Sequence, residues 1–287
     1  MTYIDKNTKL FLDKATVISE IYLMKHSAII TSTMNQPTPV FLHGYSGDGE
    51  SLREFAEMCF PAAQPVCIDL PGFGKTSLID PAAETDPYVY LDETWQAVRR
   101  AVPEGAIHLV GHSYGALLAF ALAAKYPDAI VQVDLFTPGV RPNILPRAGL
   151  MVAKAVDRIP GGLRVFAWVF QRKLLVDMVT RSMENKDWPE ARKRQIRAMR
   201  RKESLSYTPR MFRLSFHALR MPHVLDDVRC TVPVRVVYAT DDTITSHLSC
   251  EWLQQRSDTI EVIATHGGHL GIVADPKRMA NVLYATT

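Results

Sequence analysis

The chain has 287 residues, of which 47 % are hydrophobic and 22 % charged, with a formal net charge of +3. This composition excludes wholesale disorder, and the length suffices to bury a sizeable core without disulfides. The small net charge argues against a dedicated nucleic-acid binder. Four widely spaced cysteines (Cys59, Cys67, Cys230 and Cys250) form no C-x-x-C pair, so neither a disulfide scaffold nor a zinc knuckle is expected.

The N-terminus, Met-Thr-Tyr-Ile-Asp-Lys-Asn-Thr-Lys, carries no apolar h-region, so no secretory signal peptide is expected. The apolar stretch 17–34 is broken by Glu20, Lys25 and His26, and no run reaches 18 uninterrupted apolar residues. The expectation is a cytoplasmic protein with reduced thiols. Residues 17–24 and 27–33 are rich in β-branched and apolar side chains and read as a hairpin. Residues 39–42 form a short apolar run that ends in His43-Gly44. A helix is predicted over 52–58, then a strand over 65–69, stopped by Leu-Pro-Gly-Phe-Gly. Apolar residues at three- and four-residue intervals predict a helix over 90–102. A strand follows at 107–110, a near-uniformly apolar helix at 116–125 before Pro127, and a strand at 130–136.

Over 140–226 no strand is apparent, and helices are expected with breaks at Pro160-Gly-Gly, Pro189 and Pro209. Asp187 and Glu190 flank Trp-Pro at the spacing of a helix start. The earlier rhythm resumes with a strand at 234–239, a helix at 246–255, a strand at 260–264 and a helix at 276–284. Continuously apolar strands alternating with helices imply a parallel sheet covered on both faces. The expected organisation is an α/β core in two parts, 1–139 and 227–287, with a helical insertion at 140–226.

Gly111-His-Ser-Tyr-Gly115 lies between a predicted strand and a predicted helix. This is G-x-S-x-G in the context that gives it meaning, a turn so tight that its flanking residues must be small. It would lift the Ser113 hydroxyl above the strand ends. The Ser113 and Tyr114 amides would stand at a helix N-terminus, where the dipole favours developing negative charge. The alternative is a glycine-flanked turn with no chemistry.

With that turn in place, the chain resembles a serine-dependent α/β-hydrolase with a helical cap, of the esterase and lipase kind. The resemblance extends from about residue 17 to the C-terminus and rests on four motifs in the family's order. His43-Gly44 is the first. There the following residue supplies an oxyanion-hole N–H, which would be Tyr45, acting with the Tyr114 N–H; His43 itself reads as structural. Asp69-Leu-Pro-Gly-Phe-Gly-Lys-Thr-Ser77 is the second, a structural turn near the nucleophile. Its Gly-Lys-Thr end lacks the P-loop glycine, because Asp69 occupies that place. The third is the Ser113 turn itself.

The fourth is an acid and a base in the order Ser, acid, His. His266-Gly-Gly-His269-Leu resembles the family's histidine loop and makes His269 the base, with His266 as the alternative and His247 read as helix surface. Asp242 aligns with the family acid, Asp241 being the alternative. Ala239 stands where a glycine is usual. Asp134 falls inside a strand and is less suited to reach His269. The resemblance implies acyl transfer by Ser113, His269 and Asp242 on a small-molecule acyl substrate, with no metal and no cofactor. Ser113 argues against the epoxide hydrolases and dehalogenases of this fold, which use Asp. C–C hydrolase, thioesterase and acyltransferase activities share the same residues and stay open, as does a non-catalytic binding protein. The glycines and proline that usually follow His-Gly in C–C hydrolases are incomplete in Tyr45-Ser-Gly-Asp-Gly49.

The insertion is rich in aromatic side chains (Phe166, Trp168, Phe170, Trp188, Tyr207, Phe212 and Phe216) and in methionine, which suits an apolar ligand or the insertion's own core. It holds 19 Lys and Arg against 7 Asp and Glu, a formal +12, so the rest of the chain is −9. Seven basic residues fall within 192–202, read either as a solvated helix face or as attraction for an anionic substrate or an anionic membrane surface. Ile196 and Met199 make too small an apolar face for firm insertion. Oligomeric state is not legible.

Overall fold

A computed structural model describes residues 36–284. The hairpin expected over 17–33 lies outside the described residues. Strand β1 (Thr38–Leu42) leads through a 3-10 turn (Gly49–Leu52) into helix α1 (Arg53–Cys59) and strand β2 (Val66–Ile68). Helix α2 spans Pro87–Ala101. It starts three residues before the expected position because Asp86 accepts from the N–H groups of Tyr88 and Val89, and Pro87 fills the first helical position. Strand β3 (Ile107–His112), helix α3 (Tyr114–Lys125) and strand β4 (Ile130–Phe136) follow.

Between β4 and the next strand the chain is helical, as its missing strand signal implies. It forms α4 (Ile144–Val156), α5 (Gly162–Phe170), α6 (Lys173–Ser182), α7 (Glu190–Ser204), α8 (Pro209–Ser215) and α9 (His217–Val224). The expected break points hold. The capping box expected around Asp187 does not form. Pro189 occupies the cap position of α7, with no side-chain cap bond, while Asp187 uses its own N–H on the Asn185 side chain. The core resumes with β5 (Val234–Ala239), α10 (Leu248–Gln254), β6 (Ile260–Thr265), the short α11 (Gly271–Ala274) and α12 (Pro276–Tyr284).

The strands form one sheet in the order β2-β1-β3-β4-β5-β6, with every neighbouring pair parallel. Strand side chains alternate between two buried faces. Val40, Leu42, Leu109 and Val236 join the cluster around α2 and α3. Phe41, Val110 and Val237 point the other way, into the cluster with Phe55, Ile272, Met279 and Leu283. Helix α3 is apolar nearly all round because it is buried nearly all round, from Tyr114 to Ala123. After β1 the chain moves outward to β2, and from β3 it moves the other way. The sheet therefore has its topological switch between β1 and β3, the place at the strand C-termini where open α/β sheets bind their ligands.

Candidate active site

Both strands at the switch end in a motif singled out above. Beyond β3, Ser113 adopts φ 53° and ψ −110°, a strained conformation for a residue with a side chain. The surrounding backbone holds it there. The Ser113 N–H donates to Phe136 O at 2.9 Å, and its carbonyl accepts from the Gly139 N–H at 2.9 Å. The flanking glycines answer a packing demand. A Cβ on Gly111 would sit 2.5 Å from the Ala116 Cα, and one on Gly115 would sit 2.2 Å from the Leu42 carbonyl oxygen. Beyond β1, Gly44 comes so close that an added Cβ would lie 3.3 Å from the Ser113 Cβ.

His269 and Asp242 arrive from the far side of the sheet, on the loops after β6 and β5. The Ser113 Oγ is 2.9 Å from His269 Nε2, and His269 Nδ1 is 2.9 Å from Asp242 Oδ2. All three side chains are buried. Burial opposes ionisation of Asp242, but the His269 ring, the Thr245 hydroxyl and backbone N–H groups outweigh it and hold its pKa below the usual carboxylate value. An ionised Asp242 can only accept, so the Nδ1 of His269 must carry the proton. The neutral ring then offers the Nε2 lone pair to the Ser113 hydroxyl.

The residues weighed as alternatives lie elsewhere. Asp241 turns to the backbone of the histidine loop, where its Oδ1 accepts from the Gly267 and Gly268 N–H groups, each at 3.0 Å. His266 pairs with the Thr240 hydroxyl, and His247 is exposed beside Glu251. Asp134 is buried between His108 and Arg235. His43 is structural: its ring donates through Nδ1 to Gly44 O and accepts through Nε2 from the Leu70 N–H, tying the two glycine-rich turns together. Asp69 closes its own turn by accepting from the Gly49 and Lys75 N–H groups.

Sequence reasoning missed His112. Its Nε2–H donates to the carbonyl oxygen of His269 at 2.9 Å. Burial, reinforced by the His269 ring, pushes its pKa down to about 3, so it stays neutral. Asn143 was missed too, and it bridges the acid loop by donating to Asp242 O and Thr245 O. A histidine between glycine and serine is the visible signal for His112. Nothing local marks Asn143, whose partners lie about a hundred residues away.

Tyr114 opens α3, so its N–H has no intrahelical acceptor. Tyr45 occupies the second position of a turn closed by Gly47 N–H to Gly44 O, with Ser46 at φ 62°. The Tyr45 ring meets Phe73 and Phe212, and Phe212 in turn meets Phe166, Phe170 and Tyr207. An apolar aromatic cluster thus joins the turn after β1 to the insertion, and the Tyr207 hydroxyl donates to the Ser46 Oγ. On the other side Met183, Trp188 and Ile196 pack on Leu270, the neighbour of His269. Trp168 alone among the seven aromatic side chains named above is exposed. An open cleft of about 810 Å³ runs alongside, lined by residues that include Gly72, Leu163, Met211 and Arg213 but not Ser113. No group of three or more His, Cys, Asp or Glu among the described residues is placed to hold a metal ion.

The basic run 192–202 is largely spent inside the fold. Arg192 pairs with Glu54 and binds the carbonyls of Val273 and Ala274. Lys193, Arg197, Arg200 and Arg201 pair with Glu190, Glu184, Glu203 and Asp177. Ile196 is buried.

The sequence pattern of the Alpha/beta hydrolase family matches residues 40–282, and the chain belongs to that family. The "Putative carbamate hydrolase RutD" of Escherichia coli (strain 55989 / EAEC) is 25 % identical over 248 residues, 84 % of this chain and 87 % of that protein. Among solved structures, the esterase RhEst1 from Rhodococcus sp. ECU1013 superposes with a TM-score of 0.66 at 21 % identity, over 87 % of this chain and 90 % of that one. The 2-hydroxy-6-oxo-6-phenylhexa-2,4-dienoate hydrolase (BphD) from Rhodococcus sp. strain RHA1 superposes with a TM-score of 0.65 at 17 % identity, over 86 % and 89 %. These superpositions share the fold. No helix among the described residues is long and apolar enough to cross a membrane.

Proposed function

We propose that the protein is a serine hydrolase that cleaves a carboxylic ester of small or medium apolar acyl chain through an acyl-enzyme. The observation that carries this reading is the unbroken line Asp242–His269–Ser113, with 2.9 Å at each junction. His269 Nε2 takes the Ser113 proton as Oγ attacks the ester carbonyl. The Tyr45 and Tyr114 N–H groups receive the oxyanion, a contribution of roughly 3–4 kcal/mol for each donor on the mutational scale. The tetrahedral adduct collapses, the bond to the leaving oxygen breaks, and His269 returns the proton to the departing alcohol. Water, deprotonated by His269, then attacks the acyl-enzyme and regenerates Ser113. Asp242 keeps the imidazole in its Nδ1–H form and stabilises the imidazolium.

The aromatic cluster of Tyr45, Phe166, Phe170 and Phe212 beside the turn after β1 supports an apolar acyl group. The same residues would serve a thioester, a carbamate like that in the name of the Escherichia coli relative, C–C cleavage, or transfer of the acyl group to an alcohol. A chain-length series of p-nitrophenyl esters, run beside acyl-CoAs, carbamates and ester turnover with added alcohol, separates these. Ester reading and acyl preference stand if kcat/KM peaks at a short or medium apolar acyl chain. They fall if a carbamate or thioester exceeds every ester.

A further inference from the structure

Exposed apolar side chains concentrate on the helices that open the insertion. On α4, Ile144, Ala148, Met151, Val152 and Ala155 recur at intervals of three and four residues, and all are exposed; Ala153 is the buried member of that helix. On α5 the exposed side chains are Val165, Trp168 and Val169, with the Arg172 guanidinium 3.8 Å from the centre of the Trp168 ring. On α6 they are Leu174 and Met178. Ile144, Leu145 and Leu174 are 85 %, 83 % and 85 % exposed. A helix at a protein surface ordinarily turns its apolar stripe inward; α4 turns most of its apolar side chains outward, and α5 and α6 carry apolar side chains on the outer face in addition to the buried Leu163, Ala167 and Val176. The three are consecutive in the chain, α4 packing on α5 and α5 on α6.

The unpaired charge on and beside the same helices has one sign. Arg147, Arg158, Arg164, Arg172, Lys173 and Arg181 are exposed and make no ion pair among the described residues. The acidic side chains between residues 141 and 182 are Asp157 and Asp177, and each is held by an arginine from elsewhere, Arg213 and Arg201. Five of the seven cations of the 192–202 run are engaged within the fold, and Arg194 and Lys202 are exposed. Those of α4–α6 interleave with exposed apolar residues and face outward.

We propose that the outer surface of α4–α6 docks on an anionic phospholipid bilayer, its apolar side chains entering the headgroup–acyl boundary and its arginines meeting lipid phosphates. The chemistry of the surface selects this occupant. A second copy of the chain would bring like charges together, whereas an anionic leaflet satisfies the apolar and cationic groups at once. The docking does not depend on Ser113 chemistry, so it stands or falls separately from the function proposed above.

The test is sedimentation of the full chain with vesicles of phosphatidylcholine alone or mixed with phosphatidylglycerol. Two variants accompany it, I144S/L145S/L174S and R147Q/R164Q/R172Q, all at exposed positions, with Tm and turnover of a soluble ester as controls for the fold. Binding to the phosphatidylglycerol vesicles is expected to fall about ten-fold in each variant and to weaken as salt approaches ~0.5 M, with Tm and soluble turnover unchanged. Equal binding to neutral vesicles, equal binding by wild type and the serine variant, or no binding would overturn the proposal. A concentration-dependent dimer abolished by the serine variant, without vesicle binding, would assign the face to a second copy instead.

Discussion

The Nε2–H of His112 donates to the backbone carbonyl oxygen of His269 at 2.9 Å, linking the residue before the candidate nucleophile to the candidate base. The two rings lie 5.2 Å apart, centre to centre. A second cation beside the imidazolium formed during turnover would be repelled. Burial and the His269 ring keep His112 neutral, so it can fix the base without competing for its proton.

A glutamine at 112 can still donate, whereas leucine cannot. His112→Gln is expected to keep kcat within about ten-fold, and His112→Leu to lose on the order of 100-fold with KM little changed, because the loss is in positioning. Steady-state kinetics on a good ester substrate read both.

The same residue shapes stability against pH. Its folded pKa of about 3 lies below the unfolded value, so the unfolded chain binds a proton first as the medium is acidified. Stability attached to neutral His112 is full above about pH 6.5 and falls toward pH 3, at up to about 1.4 kcal/mol per pH unit. Asp242 also loses its stabilising ionised form on acidification, but at lower pH, as the medium falls through its depressed pKa. The difference in unfolding free energy between wild type and His112→Gln should therefore shrink in wild type's disfavour between pH 6.5 and 4. Urea titrations across that range measure it; a constant difference contradicts the assignment.

Asp242→Asn is expected to cut kcat by about 10⁴-fold, because an amide can hold the wrong histidine tautomer. Asp241→Asn leaves an oxygen that can accept from Gly267 and Gly268, so activity is expected to survive largely intact. Asp241→Ala removes that acceptor and should destabilise the protein by about 1–3 kcal/mol. Kinetics and thermal unfolding of the three variants check the division of labour between the adjacent carboxylates.

Much of this was legible in the sequence, and the reasons differ from residue to residue. The strand-to-helix setting of Gly111–Gly115 announced Ser113, because small residues were needed where backbone would otherwise collide. Strand β4 and helix α12 were read to the residue from apolar pattern and flanking Pro or Gly. The resemblance, not periodicity, singled out Asp242 over its neighbour Asp241. His112, Asn143 and the Asp241 bonds escaped because they are long-range contacts that only the folded chain creates. The 192–202 run looked like a free cationic face, but Lys193 and Arg200 pair within their own helix, while Arg192, Arg197 and Arg201 find Glu54, Glu184 and Asp177 on other parts of the chain. Arg194 and Lys202 stay exposed, and more unpaired positive charge stands on and beside α4–α6, where sequence showed only scattered arginines.

Gly115→Ala tests the packing demand behind the turn. An added methyl would meet the Leu42 carbonyl oxygen, which is backbone and cannot step aside. The expected result is a loss of roughly 1–3 kcal/mol or more, with a drop in Tm and displacement of Ser113 that lowers kcat. An alanine variant as stable and active as wild type would mean the helix does not sit so close to β1.

The most direct test of the central claim is intact-mass analysis after treatment with a fluorophosphonate, which forms a stable adduct with a serine oxygen activated as Ser113 is proposed to be. Wild type is expected to gain the mass of one phosphonyl group, Ser113→Ala none, and His269→Ala to label far more slowly. Labelling of Ser113→Ala to the same extent, or a wild-type chain that stays unlabelled, would contradict the account.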